Sequence, residues 1–202
     1  MRAMSWHRFC VVAVVAGACL AVAGSAGSQP PVQIPIPPLP LPPLTWNQQL
    51  ALRIPAYGHR NWIVIADSAY PAQSRDGIET LVTHEDHLTV VKGVFDALAK
   101  AKHIRPVVYL DSELPHVPEA DAKGIGQYRT DLGKLLGDRK PRSLPHDQLI
   151  AKLDNAGETF KVLVLKTNLT LPYTSVFLEL DCGYWSPEAE QRLRDAMKPA
   201  GK

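Results

Sequence analysis

The run Trp62-Ile63-Val64-Ile65-Ala66 constrains this chain more than any other stretch. It is continuously apolar and rich in β-branched residues, whose stiff side chains favour a pleated strand. It also lacks the alternation of polar and apolar positions that marks a strand with one wet face. Such a strand has to be covered on both sides. In its wider setting, "YGHRNWIVIADSAYP" (residues 57 to 71), it is bracketed by His59 in a turn and by Asp67 at its end. Either the polar pair merely borders a buried strand, or the strand exists to position the pair.

The rest of the chain supplies cover for such a strand. "TWNQQLALRI" predicts a short helix capped by Thr45 and ending before Pro55. After the strand, "PAQSRDG" reads as loop. "THEDHLTVVKGVFDALAKAKH" predicts a helix capped by Thr83, with Leu88, Val91, Val94, Phe95 and Leu98 recurring on one face. "RPVVYLD" predicts a second strand ending at Asp111, and "EADAKGIGQYRTDLGKLLG" a helical segment. "SLPHDQLIAKL" predicts a helix with Ser143 as cap and Pro145 in its first turn. "FKVLVLK" and "YTSVFLEL" read as strands, and "SPEAEQRLRDAMK" as a polar helix at the edge. Strands alternating with helices imply a single α/β domain over residues 45–202, with a central β-sheet and helices on both faces.

The residues before it are of another kind. Residues 1–28 carry Arg2, His7 and Arg8, an apolar run from Phe9 to Ala23, and small residues at Ala21, Val22 and Ala23. This pattern predicts a secretory signal peptide cut near residue 23, hence export to the periplasm or the cell exterior. The run is shorter than the roughly 20 apolar residues that span a bilayer, so a permanent anchor is the weaker reading. Lipidation at Cys19 is a minor alternative. Residues 29–44, "QPPVQIPIPPLPLPPL" with its neighbours, predict an extended polyproline spacer reaching roughly 40 Å at about 3.1 Å per residue. Cys10 and Cys19 fall in the leader, which leaves Cys182 in the mature chain, without an internal disulfide partner and without a thiolate metal site. A formal charge of +2 across 202 residues gives no field for nucleic acid or an acidic lipid surface.

Candidate chemistry lies at the ends of elements. Asp67 follows a buried run, where the carboxyl ends of strands in open α/β sheets collect ligands, although a turn aspartate is an equal reading. His146, in "PRSLPHDQL", sits in the first turn of a helix, whose dipole disfavours the protonated imidazole. Tyr173, Thr174 and Ser175 offer three successive hydroxyls suited to a polyol. "HEDH" places His84 and His87 three apart, one residue short of H-E-x-x-H, so acidic and polar residues of a helix start explain it without a metal. Asn168-Leu169-Thr170 matches a glycosylation acceptor.

Taken in order, "YGHRNWIVIADSAYP", "LPHDQL" and "LPYTSVFLEL" resemble the D-ribose pyranase and L-fucose mutarotase family over about residues 46 to 180. The resemblance implies a fold of that type and a cofactor-independent isomerase acting on a monosaccharide. By the same resemblance His59 is the general acid and base, Asp67 and His146 contact substrate, and Tyr173 and Ser175 belong to the sugar-binding strand. Ser175 stands where the family has asparagine. An insertion around His84 to His103, a tail after Leu180 and the leader are further departures.

Interconverting sugar ring forms needs a proton removed from the anomeric hydroxyl and one given to the ring oxygen. An imidazole, with an ordinary pKa of about 6.5, works in both directions near neutrality. Eight residues of extended chain at about 3.3 Å each put His59 and Asp67 up to roughly 26 Å apart. They share one pocket only if "GHRN" doubles back or if neighbouring subunits meet there. The family's ring-shaped oligomers, with sites at subunit contacts, imply the second, so a homo-oligomer is expected. A non-catalytic carbohydrate-binding or scaffold protein on the same fold is the alternative, and a metal-dependent hydrolase built on His84 and His87 a third reading.

Overall fold

Trp62–Ala66 forms strand β1 and is buried along its whole length. Its side chains divide by parity, as a pleated strand requires. Ile63 and Ile65 enter one apolar cluster, whereas Trp62, Val64 and Ala66 enter another on the opposite face. The same split runs through Leu163 and Leu165 against Val162 and Val164. Continuous hydrophobicity in these segments is therefore the signature of two covered faces.

The computed structural model describes residues 42–198. The leader and most of the proline-rich spacer lie outside the described residues. Within them the chain forms one mixed six-stranded sheet, in the order β2-β5-β1-β6-β3-β4, with five α-helices. The strands are β1, β2 (Ile78–Val82), β3 (Ile104–Asp111), β4 (Arg142–Leu144), β5 (Val162–Lys166) and β6 (Val176–Cys182). The helices are α1 (Trp46–Arg53), α2 (His87–Leu98), α3 (Ile125–Leu136), α4 (His146–Gly157) and α5 (Pro187–Ala196). Strand β1 pairs parallel with β5 and antiparallel with β6, β3 pairs antiparallel with β6, and β4 runs parallel to β3. Thus β1, β3 and β4 all point the same way. No helix of the described residues is long and apolar enough to cross a membrane.

Helices α1, α2 and α3 cover one face through Leu50, Val90, Val94, Leu98, Ile125 and Leu132. Leu149 and Leu153 of α4, both fully buried, cover the other. Burying each leucine contributes about 1.5–3 kcal/mol, so the two hold α4 firmly and with it His146, one turn before Leu149.

Several boundaries differ from those expected. Thr45 caps α1 as predicted, in a capping box with Gln48. Helix α2 begins later than predicted, because Asp86 rather than Thr83 accepts from the amide three residues on. Ser143 caps nothing: it lies in β4, and Pro145 precedes α4 with an extended backbone. A residue before proline is driven to extended geometry, so Leu144 cannot enter a helix and the chain pairs with β3 instead. Ile78–Val82 forms an edge strand unanticipated in the sequence, where Glu79 and Thr80 interrupt the apolar pattern. Finally, β6 starts at Val176, so Tyr173, Thr174 and Ser175 form the turn that leads into it.

Candidate functional site

Because β1, β3 and β4 are co-directional and β6 runs against them, the ends of the first three and the start of β6 meet at one edge of the sheet. Asp67 follows β1, Asp111 closes β3, His146 opens α4 just beyond β4, and Ser175 precedes β6. Four distant segments of sequence thus bring polar groups together, with Tyr173 beside them.

Asp67 takes the turn role that was its equal reading, and its second oxygen faces Ser175. Its Oδ1 accepts from the Ala69 amide at 2.8 Å and so closes a turn, while Oδ2 accepts from the Ser175 hydroxyl at 3.4 Å. Ser175 itself is buried, with its hydroxyl turned to Asp67. Tyr173 adopts a left-handed backbone, with φ of 56°. That conformation costs a non-glycine residue about 1–2 kcal/mol. Its exposed ring meets the His146 ring edge to face, with centroids 5.7 Å apart. An open hollow of about 510 Å³, lined in part by Glu113, His116, Pro172 and Tyr173, adjoins this cluster.

His146 is held twice. Its Nδ1 lies 2.9 Å from Asp111 Oδ1, and its backbone amide donates to both Glu113 carboxylate oxygens at 3.0 and 3.2 Å. Pro145 offers no capping side chain, so Glu113 satisfies from another element an amide that the first turn of α4 leaves open. The ring stays 30% exposed while the Asp111 side chain is 0% exposed. The hydrogen bond to Asp111 raises the His146 pKa above the ordinary histidine value, against the effect of burial. Burial in turn raises the Asp111 carboxyl, with His146 opposing and Glu113 and Asp67 adding like-charge repulsion. Tyr70, buried nearby, has its phenol pushed up by burial first and then by Asp111 and Asp67.

A second layer fixes the turn before β6. The Tyr128 hydroxyl donates to the Thr174 carbonyl at 2.7 Å and lies 3.3 Å from His87 Nδ1, while His87 Nε2 faces the Ile65 carbonyl at 3.3 Å. Burial lowers the His87 pKa to about 4, which keeps the ring neutral near pH 7. His84 stands outside α2, exposed, with φ of 58°, so it shares no helix face with His87. Among the described residues no group of three or more His, Cys, Asp or Glu side chains is arranged to hold a metal ion.

His59 is elsewhere. The "GHRN" segment does turn, with Asn61 donating to the Gly58 carbonyl and Arg60 at φ of 76°. Even so, the turn leaves His59 at the start of β1, its Nε2 3.7 Å from Asp181 Oδ1 and its side chain 58% exposed. It borders a cavity of about 600 Å³ with Arg105, Asp181, Tyr184 and Trp185. Within one chain, Asp67, His146, Tyr173 and Ser175 stand together and His59 stands at the opposite end of the sheet. Asp111 and Glu113 carried no functional expectation. A signal for Asp111 was present, because it closes the apolar stretch Val107-Val108-Tyr109-Leu110 at the end of a strand.

No family model matches the chain, and no curated protein matches it. Among solved structures it is similar to Bacillus subtilis RbsD in complex with D-ribose, at 20% identity and a TM-score of 0.46, over 70% of this chain and 98% of that one. It is similar also to the fucose mutarotase of Streptococcus pneumoniae in complex with L-fucose, at 18% identity and a TM-score of 0.43, over 70% and 98% of the two chains. FucU from Bifidobacterium longum aligns at 16% identity and a TM-score of 0.44, over 66% and 93%.

Proposed function

We propose that this chain interconverts ring forms or anomers of a monosaccharide of the ribose or fucose kind by general acid and base catalysis, without a cofactor. The observation that carries the reading is the convergence of Asp67, His146 and Tyr173, from three separate motifs, on the strand ends, beside an open hollow that Tyr173 lines. Carboxylate, imidazole and phenol are the groups that hold and deprotonate sugar hydroxyls, and the reaction they suit is proton transfer alone. The sequence resemblance adds His59 as a proton carrier. Its place at the far end of β1 fits that role only in a homo-oligomer in which one subunit presents His59 to the strand ends of the next. By its leader, the protein works after export, held off a surface by the proline-rich spacer.

Saturation-transfer NMR on ribose and fucose tests the reading. The wild type is expected to accelerate anomer exchange and His59→Ala to lose most of that acceleration, while sedimentation shows an oligomer. Sugar binding without faster exchange establishes instead a carbohydrate-binding protein on the same fold. The burial of Ser175 where the family has an asparagine favours that second reading.

A further inference from the structure

Among the described residues, Asp111 carries the one buried side-chain polar atom without a hydrogen-bond partner. That atom is Oδ2, and the side chain that carries it is fully buried. Leaving a buried polar atom unsatisfied costs about 1–3 kcal/mol, and more when it is charged. Oδ2 is also out of contact with solvent, so no sugar hydroxyl reaches it without a rearrangement. The Oδ1 atom, by contrast, is committed to His146 Nδ1 at 2.9 Å. With Nδ1 tied inward and the ring partly exposed, Nε2 is the nitrogen left for an incoming group. The Tyr173 ring packs edge to face against the His146 ring, and buried Leu149 anchors the helix that carries it.

We propose that Asp111 is a positioning residue that fixes the orientation of His146 with Nδ1–H turned to the carboxylate, and that the Nε2–H of the protonated ring is a proton donor to the sugar ring oxygen rather than a substrate contact alone. The inference rests on the ring-interconversion reading and deepens it. In the opening step the bond from the anomeric carbon to the ring oxygen breaks, and its electron pair stays on the ring oxygen, which takes the Nε2 proton. The anomeric hydroxyl gives its proton to the base, His59 of a neighbouring copy on that reading, and its oxygen becomes the aldehyde carbonyl. Closure on either face of the carbonyl returns both protons, so nothing is oxidised or reduced. An aspartate behind Nδ1 with Nε2 free is the arrangement that orients a histidine for such transfer.

The groups facing His146 set the pH dependence. Asp111 from β3, Glu113 just after it and Asp147 on α4 itself all favour the imidazolium, burial opposes it, and the Tyr173 ring flanks it. An imidazolium donor works below its pKa and is lost as pH rises through it. Asp111→Asn removes the largest support for the charged form, so the falling limb of exchange rate against pH moves to lower pH. At neutral pH the rate per folded molecule drops by about tenfold or more, and by about a hundredfold in His146→Gln. If Asp111 acts only through His146, the double variant is no slower than His146→Gln. NMR titration of the His146 ring in wild type and Asp111→Asn reads the same coupling without turnover. An Asp111→Asn protein that melts earlier but keeps the pH limb and the rate per folded molecule overturns the proposal and leaves the ring-interconversion reading standing, as does a double variant whose losses multiply. A wild type that binds sugar without accelerating exchange removes both.

Discussion

At the starts of β1 and β3, Arg105 holds Asp181 through Nε and Nη2 at 3.0 and 2.7 Å, and both side chains remain 30–40% exposed. At the far ends of the same strands, His146 holds Asp111 at 2.9 Å with the carboxylate out of water. The two pairs look alike on a diagram and differ in energy. Partial burial draws the Asp181 carboxyl up, but Arg105 and the Cys182 amide overcome it and leave it below the usual carboxylate range. Water screens that pair and satisfies what it leaves over, so its net worth is about 0–1 kcal/mol. Asp111 has no such recourse: its second oxygen is unsatisfied, and losing its partner strands a buried charge. Strain and unsatisfied polar groups are costly and persist only where the surrounding structure holds them in place.

The largest effect expected is therefore at His146. Replacing it by alanine should cost about 3 kcal/mol in urea unfolding at pH 7, because Asp111 is left buried alone. Arg105→Ala should cost below about 1 kcal/mol in the same measurement. Equal costs at the two ends would break the comparison.

Acid should act on the His87 layer behind the site almost as strongly. The folded pKa of His87, about 4, lies below the ordinary 6.5, so the unfolded chain binds more protons between these values. Stability from this group is fully present above pH 6.5 and declines as pH falls toward 4, by about 3 kcal/mol in all. Unfolding followed from pH 7 to 4 in the wild type and in His87→Phe should show that slope in the first and not in the second.

A smaller effect sharpens the argument from strain. Tyr173→Gly relieves about 1–2 kcal/mol of left-handed backbone cost. It loses an edge-to-face contact worth about 0.5–1.5 kcal/mol. The melting temperature should move little while ribose or fucose binding, read by NMR titration, falls. Loss of stability without loss of binding would show that the turn serves packing alone.

What could be read from the residues in order was whatever depends on neighbours along the chain. The unbroken run Trp62–Ala66 demanded two covered faces, and the parity of its side chains between two apolar clusters is that demand met. The capping box of α1 and the apolar stripe of α2 are equally local. Local rules also erred for tertiary reasons. Ser143 looked like a cap, but β3 offered its segment a partner, and Ile78–Val82 became a strand because β5 had a free edge. The same holds for the site. Asp67 and His146 stood out as acids and imidazoles at element ends, and the sequence by itself marked them. That Asp111 lies under His146, that Ser175 turns to Asp67, and that His59 faces Asp181 at the opposite edge were decided only by strand order and direction. Pairing register brings together residues as far apart as 108 positions. No periodicity in a chain records that, because the free energy of those contacts belongs to the packed sheet and not to any segment of it.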